Sequence, residues 1–284
     1  MQEIQQIRRN NTMKPLQLNS FGSIRSTAVR GVFISAVVLV VVLFDNLGTA
    51  GEIQYRAKAG IQNQYVNKAG LVAYDAPIMI NEVVVSKNNF YGGLWNATSL
   101  GSEKYGKFGK ELDFSFGYKR AFGAGQFWIP TCDIALSYYI LGDWKTISDD
   151  RFVADFRVEF LKIPFAQPYV AVRYFGSVGE ASKDGEFFWL GLKRDQPLGI
   201  KPFGGEVSLR VDGSFAFAIQ GSMGRDGGFI YSRVQTLLNV PLSKKFSVNP
   251  FCMVQIPAGD QNGGKRDFVS GVERVFGGFL NVRF

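Results

Sequence analysis

From Gly51 to Phe284 no run of a dozen residues repeats its apolar positions at the spacing of a helix face; short segments instead alternate apolar or aromatic residues with polar ones. Residues 111–119 set Leu112, Phe114, Phe116 and Tyr118 against Glu111, Asp113, Ser115 and Lys119. Residues 152–160 set Phe152, Ala154, Phe156, Val158 and Phe160 against Asp155, Arg157 and Glu159. Residues 206–217 do the same, with Val207, Leu209, Val211, Phe215 and Phe217 opposite Glu206, Ser208, Arg210 and Asp212. Successive side chains of a strand point to opposite faces, so each segment reads as a strand with one apolar and one polar face. Twelve strands are predicted, over 53–65, 76–87, 89–98, 109–122, 125–142, 150–162, 165–178, 184–196, 203–219, 228–241, 245–256 and 267–284.

The connections alternate too. Asn88, Gly123-Ala124, Pro164 and its neighbours, Pro197 to Pro202 and Ser243-Lys244 are mostly compact, whereas Ser99–Phe108, Asp143–Asp149, Gly179–Lys183, Gly221–Gly227 and Gly259–Arg266 are long and polar. Tight turns at one end and long loops at the other describe an up-and-down barrel. Period two alone does not say whether the apolar face is turned in, as in a soluble barrel, or out, as in lipid. The two ends of the chain argue for lipid. Residues 32–44 are thirteen uncharged residues, preceded by Arg25 and Arg30 and followed by Gly48-Thr49-Ala50, the order of a secretory signal and short for a transmembrane helix. Residues 1–50 are therefore expected to be a signal peptide cleaved near Ala50, with Met13 an alternative start, and no cysteine there permits a lipid anchor. The last strand ends on an aromatic, with Phe276, Leu280, Val282 and Phe284 on one face, like the assembly signal of outer-membrane barrels. The expected fold is all-β, a closed antiparallel up-and-down transmembrane β-barrel of about 12 strands over residues 51–284. Closure removes the unpaired edges that lipid does not tolerate.

The chain contains no histidine, which excludes Ser-His and Cys-His nucleophiles and His-ligated metals. Cys132 and Cys252 form neither a C-x-x-C nor a zinc spacing. No catalytic residue, cofactor or metal site is expected, and no enzymatic activity. Part of the formal charge of +8 belongs to the leader, through Arg8, Arg9, Lys14, Arg25 and Arg30 against Glu3 and Asp45, and no basic run marks a nucleic-acid footprint.

An arginine or lysine facing lipid at mid-membrane costs about 2 to 4 kcal/mol, so the charged faces are assigned to the lumen. The inward bases are Arg56, Lys58, Lys119, Arg157, Arg173, Lys193, Arg210, Arg233 and Arg283, and the inward acids are Glu82, Glu111, Asp113, Asp133, Asp155, Glu159, Glu206 and Asp212. This near balance argues against strong anion selectivity. Gly117, Gly191 and Gly277 are expected to leave room in the bore, and Tyr139, Phe187 and Trp189 to narrow it.

One region goes beyond generic barrel character: Gly60–Tyr65, Pro77–Lys87, the stretch Asn89-Phe90-Tyr91-Gly92-Gly93-Leu94-Trp95-Asn96-Ala97, and Glu111–Tyr118. It resembles the opening of the TorF family of outer-membrane porins, which pairs a first strand with an aromatic-Gly-x-Trp segment and an acid-Leu-Asp segment ending in Gly-Tyr. The aromatic-x-x-Arg-Gly run frequent in that family's first strand is absent here. The resemblance implies a pore-forming role and supplies no catalytic residues. The expectation is an integral outer-membrane protein of a Gram-negative bacterium, either a porin-like passive channel for small polar solutes or a non-conducting structural or surface-binding barrel. Its expected partners are outer-membrane lipid and lipopolysaccharide, the barrel-assembly machinery through the C-terminal strand, and small polar solutes if it conducts, with no nucleic acid.

Overall fold

The computed structural model describes residues 51–67, 72–74, 76–101, 110–123, 130–141, 150–161, 163, 165–178, 184–219, 227–258 and 271–284. The expected leader lies outside them. Twelve strands close a barrel: β1 (Gln54–Gln62), β4 (Ile78–Lys87), β5 (Phe90–Ser99), β6 (Lys110–Ala121), β7 (Pro130–Leu141), β8 (Arg151–Phe160), β9 (Gln167–Ser177), β10 (Gly185–Pro197), β11 (Ser208–Ala218), β12 (Gly228–Pro241), β13 (Phe246–Pro257) and β14 (Glu273–Arg283). Neighbours in sequence pair antiparallel, and β1 pairs β14 from Arg56↔Arg283 to Gln62↔Gly277. The expected closed twelve-stranded barrel is what the chain forms. Its strands have the length of membrane-crossing strands tilted in a bilayer.

Two departures from the expected boundaries matter. A two-stranded hairpin, β2 (Tyr65–Val66) and β3 (Val72–Tyr74), stands apart from the barrel sheet in the β1–β4 connection. β6 is described to Ala121 and β7 from Pro130, and residues 124–129, which include Ala124 of the expected turn and the expected start of the next strand, lie outside the described residues. β11 begins at Ser208 rather than 203. Residues 198–207 form a turn held by Leu198 N–H to Val207 O at 2.9 Å and Val207 N–H to Ile200 O at 2.8 Å, with Gly199 and Gly204 at positive φ. Glu206 therefore lies exposed in this turn rather than on a lumen-facing strand position, a correction to the sequence reading.

The tight turns show why the hairpins form. Asn88 adopts φ +56° between β4 and β5, the left-handed conformation that asparagine tolerates and two-residue hairpins require. Ser243 Oγ accepts the N–H groups of Lys245 and Phe246 and fixes the β12–β13 turn. The C-terminal residue joins the seam, Phe284 N–H donating to Tyr55 O at 3.0 Å.

The apolar face points outward. Ile134, Leu136, Phe156, Val172, Leu190, Leu192, Phe215, Val234 and Ile256 are all exposed large hydrophobics, as are Phe276, Leu280 and Phe284 of the C-terminal strand. Their neighbours in sequence meet one another on the concave side. Hydrogen bonds join strands two apart, Tyr91 on β5 to Asp133 on β7 and Tyr169 on β9 to Asp212 on β11, and side chains can reach past an intervening strand in this way on the inner face. A barrel with a greasy exterior and a charged interior is the lipid-embedded arrangement, and this chain is a membrane-spanning barrel.

Those two tyrosines also correct the expectation about glycine. Tyr91 is paired directly with Gly117, and Tyr169 with Gly191. A Cβ on Gly117 or Gly191 would lie 2.2 Å from the tyrosine ring, so each ring lies flat on the wall across its glycine. The hydroxyls then reach the next strand, 2.7 Å from Asp133 Oδ1 and 2.8 Å from Asp212 Oδ1. At the seam, a Cβ on Gly277 would meet Ile61 O at 2.5 Å. The inward glycines do not widen the bore: two are covered by rings and the third allows backbones to approach.

Candidate functional site

The lumen is graded along its axis. At the tight-turn end two adjoining recesses hold water-sized space, one of about 800 Å³ bordered by Gln54, Glu82, Ser86, Tyr91, Ser115, Lys119 and Asp133, the other of about 500 Å³ bordered by Lys58, Asp195, Arg210, Gln235, Asn239, Asn249 and Asn281. Arg56, Glu82 and Arg283 border both. The fixed charges here lie along the wall. Glu82 on β4 accepts both Arg56 and Lys58 of β1 at 3.2 Å, and Lys119 Nζ lies 3.6 Å from Asp133. Glu159 holds Arg157 at 2.5 Å and Lys193 at 3.1 Å, and Arg210 forks onto Asp195 at 2.7 and 3.1 Å. The Arg157 guanidinium also lies 3.8 Å from the centre of the Tyr169 ring. Every one of these pairs joins residues on the same strand or on strands at most two apart, so none spans the bore.

Midway, Arg173 is almost fully buried and forks onto Asp155, both nitrogens at 2.5 Å. Glu111 of β6, buried, lies within electrostatic reach of this guanidinium, as do Tyr139 and Tyr65, and the buried Asp113 of the same strand lies beside Glu111. A buried cluster of charged and phenolic groups thus lines the β6 to β9 side of the wall midway along the barrel.

Beyond it, at the long-loop end, the inner faces are apolar and packed. Val153, Phe175, Phe187, Trp189, Ala216 and Tyr231 form one buried cluster over β8 to β12, with Trp189 Nε1 donating to Tyr231 Oη at 2.8 Å. The rings of Phe175 and Phe187 meet edge to face, centroids 5.7 Å apart. Residues 64–67, at the start of the β2–β3 hairpin, pack on the opposite side. Tyr65 packs against Ile78, Ile80 and Trp95, whose ring centre is 5.6 Å away, and Val66 is buried against Met253 and Val275. Gln64 donates to Glu273 at 2.7 Å, and Arg233 donates to Asn67 O at 3.0 Å while its other contacts hold Gln255. Residues 64–67 therefore bridge from β5 to β12 inside the barrel.

Of the lumen residues expected from the sequence, Arg56, Lys58, Glu82, Lys119, Asp133, Arg157, Glu159, Lys193, Arg210, Asp212 and Arg283 lie in the tight-turn half, Glu111, Asp113, Asp155 and Arg173 lie midway, and Arg233 holds Asn67. Glu206 alone is displaced from the wall. Asp195 and Glu273 were not foreseen. Asp195 sits in the all-polar run Lys193-Arg194-Asp195-Gln196, where no apolar neighbour marks the phase of the alternation. Of the expected narrowing residues, Phe187 and Trp189 lie in the packed cluster and Tyr139 lines it.

No known family model matches the chain. No curated protein matches it either. Among solved structures the barrel overlaps loosely with several membrane barrels. The NanC porin is 8% identical at a TM-score of 0.46, covering 80% of this chain and 98% of that one. An outer-membrane channel from Pseudomonas putida F1 is 9% identical at 0.44, covering 84% and 97%. The β domain of the Bordetella autotransporter BrkA is 13% identical at 0.44, covering 83% and 99%. Overlaps this loose place the chain in none of these families, and its character rests on its own wall and lumen.

Proposed function

We propose that this protein is an outer-membrane, porin-like passive channel for small polar solutes, entered from its tight-turn end and constricted by the β2–β3 hairpin. The observation that carries this reading is the pair of adjoining polar recesses, about 800 and 500 Å³, whose fixed charges are held back along the wall. A barrel of eight strands fills its interior with side chains and one of sixteen leaves an open channel, so twelve strands permit a water-filled half. The leader, the aromatic C-terminal strand and the resemblance to TorF porins support the outer membrane of a Gram-negative cell, with lipid and lipopolysaccharide around the belt and Phe276, Leu280, Val282 and Phe284 offered to the assembly machinery. The packed long-loop half favours a second reading, a non-conducting structural or surface-binding barrel.

Planar-bilayer recording of the purified protein separates the two. The channel reading expects discrete conductance steps, brief and small because the hairpin occupies the bore; silence across many verified insertions selects the non-conducting barrel.

A further inference from the structure

The near balance of charge over the whole lumen hides a local excess. Arg56 and Arg283 are direct partners across the seam, both facing the bore, with Lys58 next inward on β1. Glu82 is shared between Arg56 and Lys58, both at 3.2 Å. The guanidinium of Arg283 has no carboxylate within ion-pair distance among the described residues. Across the 500 Å³ recess Arg210 and Asp195 neutralise each other. The recess therefore carries two positive charges more than its own carboxylates cancel.

Beside this cationic corner, the wall is built of amides. Asn281 Nδ2 donates to Asn249 Oδ1, and Asn249 Nδ2 donates to Asn239 Oδ1 at 2.9 Å, a ladder across β14, β13 and β12. The ladder leaves the Asn281 carbonyl as an acceptor and the Asn239 amide hydrogens as donors, with Gln235 bordering the same space. The ring of Phe279 also borders it, stacked on Phe251 at 5.0 Å, with Lys58 Nζ 4.3 Å above its centre. Planar guanidinium forks match a carboxylate, amides exchange hydrogen bonds with hydroxyls, and an aromatic ring supplies an apolar floor.

We infer that this recess is a binding site for a small hydroxylated carboxylate, such as a sugar acid, with Arg283 and Arg56 on the carboxylate and the Asn239–Asn249–Asn281 ladder on the hydroxyls. The inference gives a solute class to the proposed channel and rests on that reading for its physiological role. Binding itself is measured at equilibrium, so a barrel that binds without conducting and one that conducts without binding give different results.

The test is isothermal titration of the full-length detergent-purified protein with D-glucuronate, D-glucose and inorganic phosphate. Glucuronate should bind at least about tenfold tighter than either of the others, because glucose lacks the charge and phosphate lacks the hydroxyls. Arg283→Gln should weaken glucuronate about tenfold, with Arg283→Lys between the two, and added salt should weaken glucuronate without affecting glucose. Heat-modifiable mobility verifies that each variant is folded, and Arg283 gives up no ion pair when replaced. Glucose binding as tight as glucuronate, an unchanged affinity in Arg283→Gln, or no heat with any probe would overturn the site. Phosphate binding as tightly as glucuronate would overturn the hydroxyl contacts.

Discussion

Replacing residues 64–76 with a short Gly-Ser turn should convert brief, small current steps into sustained steps several times larger. Residues 64–67 bridge the long-loop half of the bore through Tyr65 on Trp95, Val66 on Met253 and Val275, and the Asn67 carbonyl on Arg233. The barrel itself does not need them. Gln62 and Ile78 are direct partners at the ends of β1 and β4, so a short turn can join them. Asn63 is best kept, because its amide brackets β14 through Arg274 O and the Phe276 N–H. Single-channel recording of the variant beside the parent reads the result. Equal currents would mean that the hairpin does not limit flow; silence in both would place the barrier in the aromatic cluster of β8 to β12.

Arg173→Leu should cost about 3 to 5 kcal/mol of unfolding stability, the magnitude found when one member of a buried ion pair is removed. The Arg173 side chain is 4% exposed and holds Asp155 with two 2.5 Å contacts, while Glu111 and Asp113 are buried nearby. Without the guanidinium these carboxylates face one another with little water to separate them. Asp155→Leu combined with Arg173→Leu should recover part of the loss, since the double variant removes one of the stranded charges. Denaturant unfolding in detergent, followed by the shift between folded and unfolded electrophoretic mobility, measures both. A single variant within about 0.5 kcal/mol of the parent, the range of ordinary surface changes, would show that the mid-lumen cluster is not structural.

How much of this was legible depends on what a strand's own sequence records. In β6 and β8 every second residue is apolar and most of the intervening ones are charged, Glu111, Asp113 and Lys119 in one and Asp155, Arg157 and Glu159 in the other, so phase and face follow directly. The hairpin was not legible: Tyr65 and Val66 extend the polar end of β1 with no break, and their buried surroundings come from β4, β5, β13 and β14, far away in sequence. The inward glycines were misread for the same reason. Their space is taken by Tyr91 and Tyr169 of neighbouring strands, a cross-strand fact that period two does not contain. Likewise Val153, Phe175, Met253 and Val275 face inward although they are apolar, because the long-loop half of the lumen is a packed interior rather than a wet one. Glu206 was misplaced because alternation continues by chance into the turn of residues 198–207.

The inside-out wall on which the whole account stands can be tested through the two native thiols. Cys132 and Cys252 are free, and each lies between inward neighbours, Thr131 and Asp133 or Phe251 and Met253, so both face lipid. Ser86 and Ser115 border the 800 Å³ recess and face water. A charged, membrane-impermeant maleimide should label neither native cysteine in open outer-membrane fragments that expose both faces to the reagent. It should label Ser86→Cys and Ser115→Cys promptly when each is placed in a Cys132→Ala, Cys252→Ala background. Native cysteines that react as fast as those introduced ones, or introduced ones that stay silent, would contradict the assignment of faces.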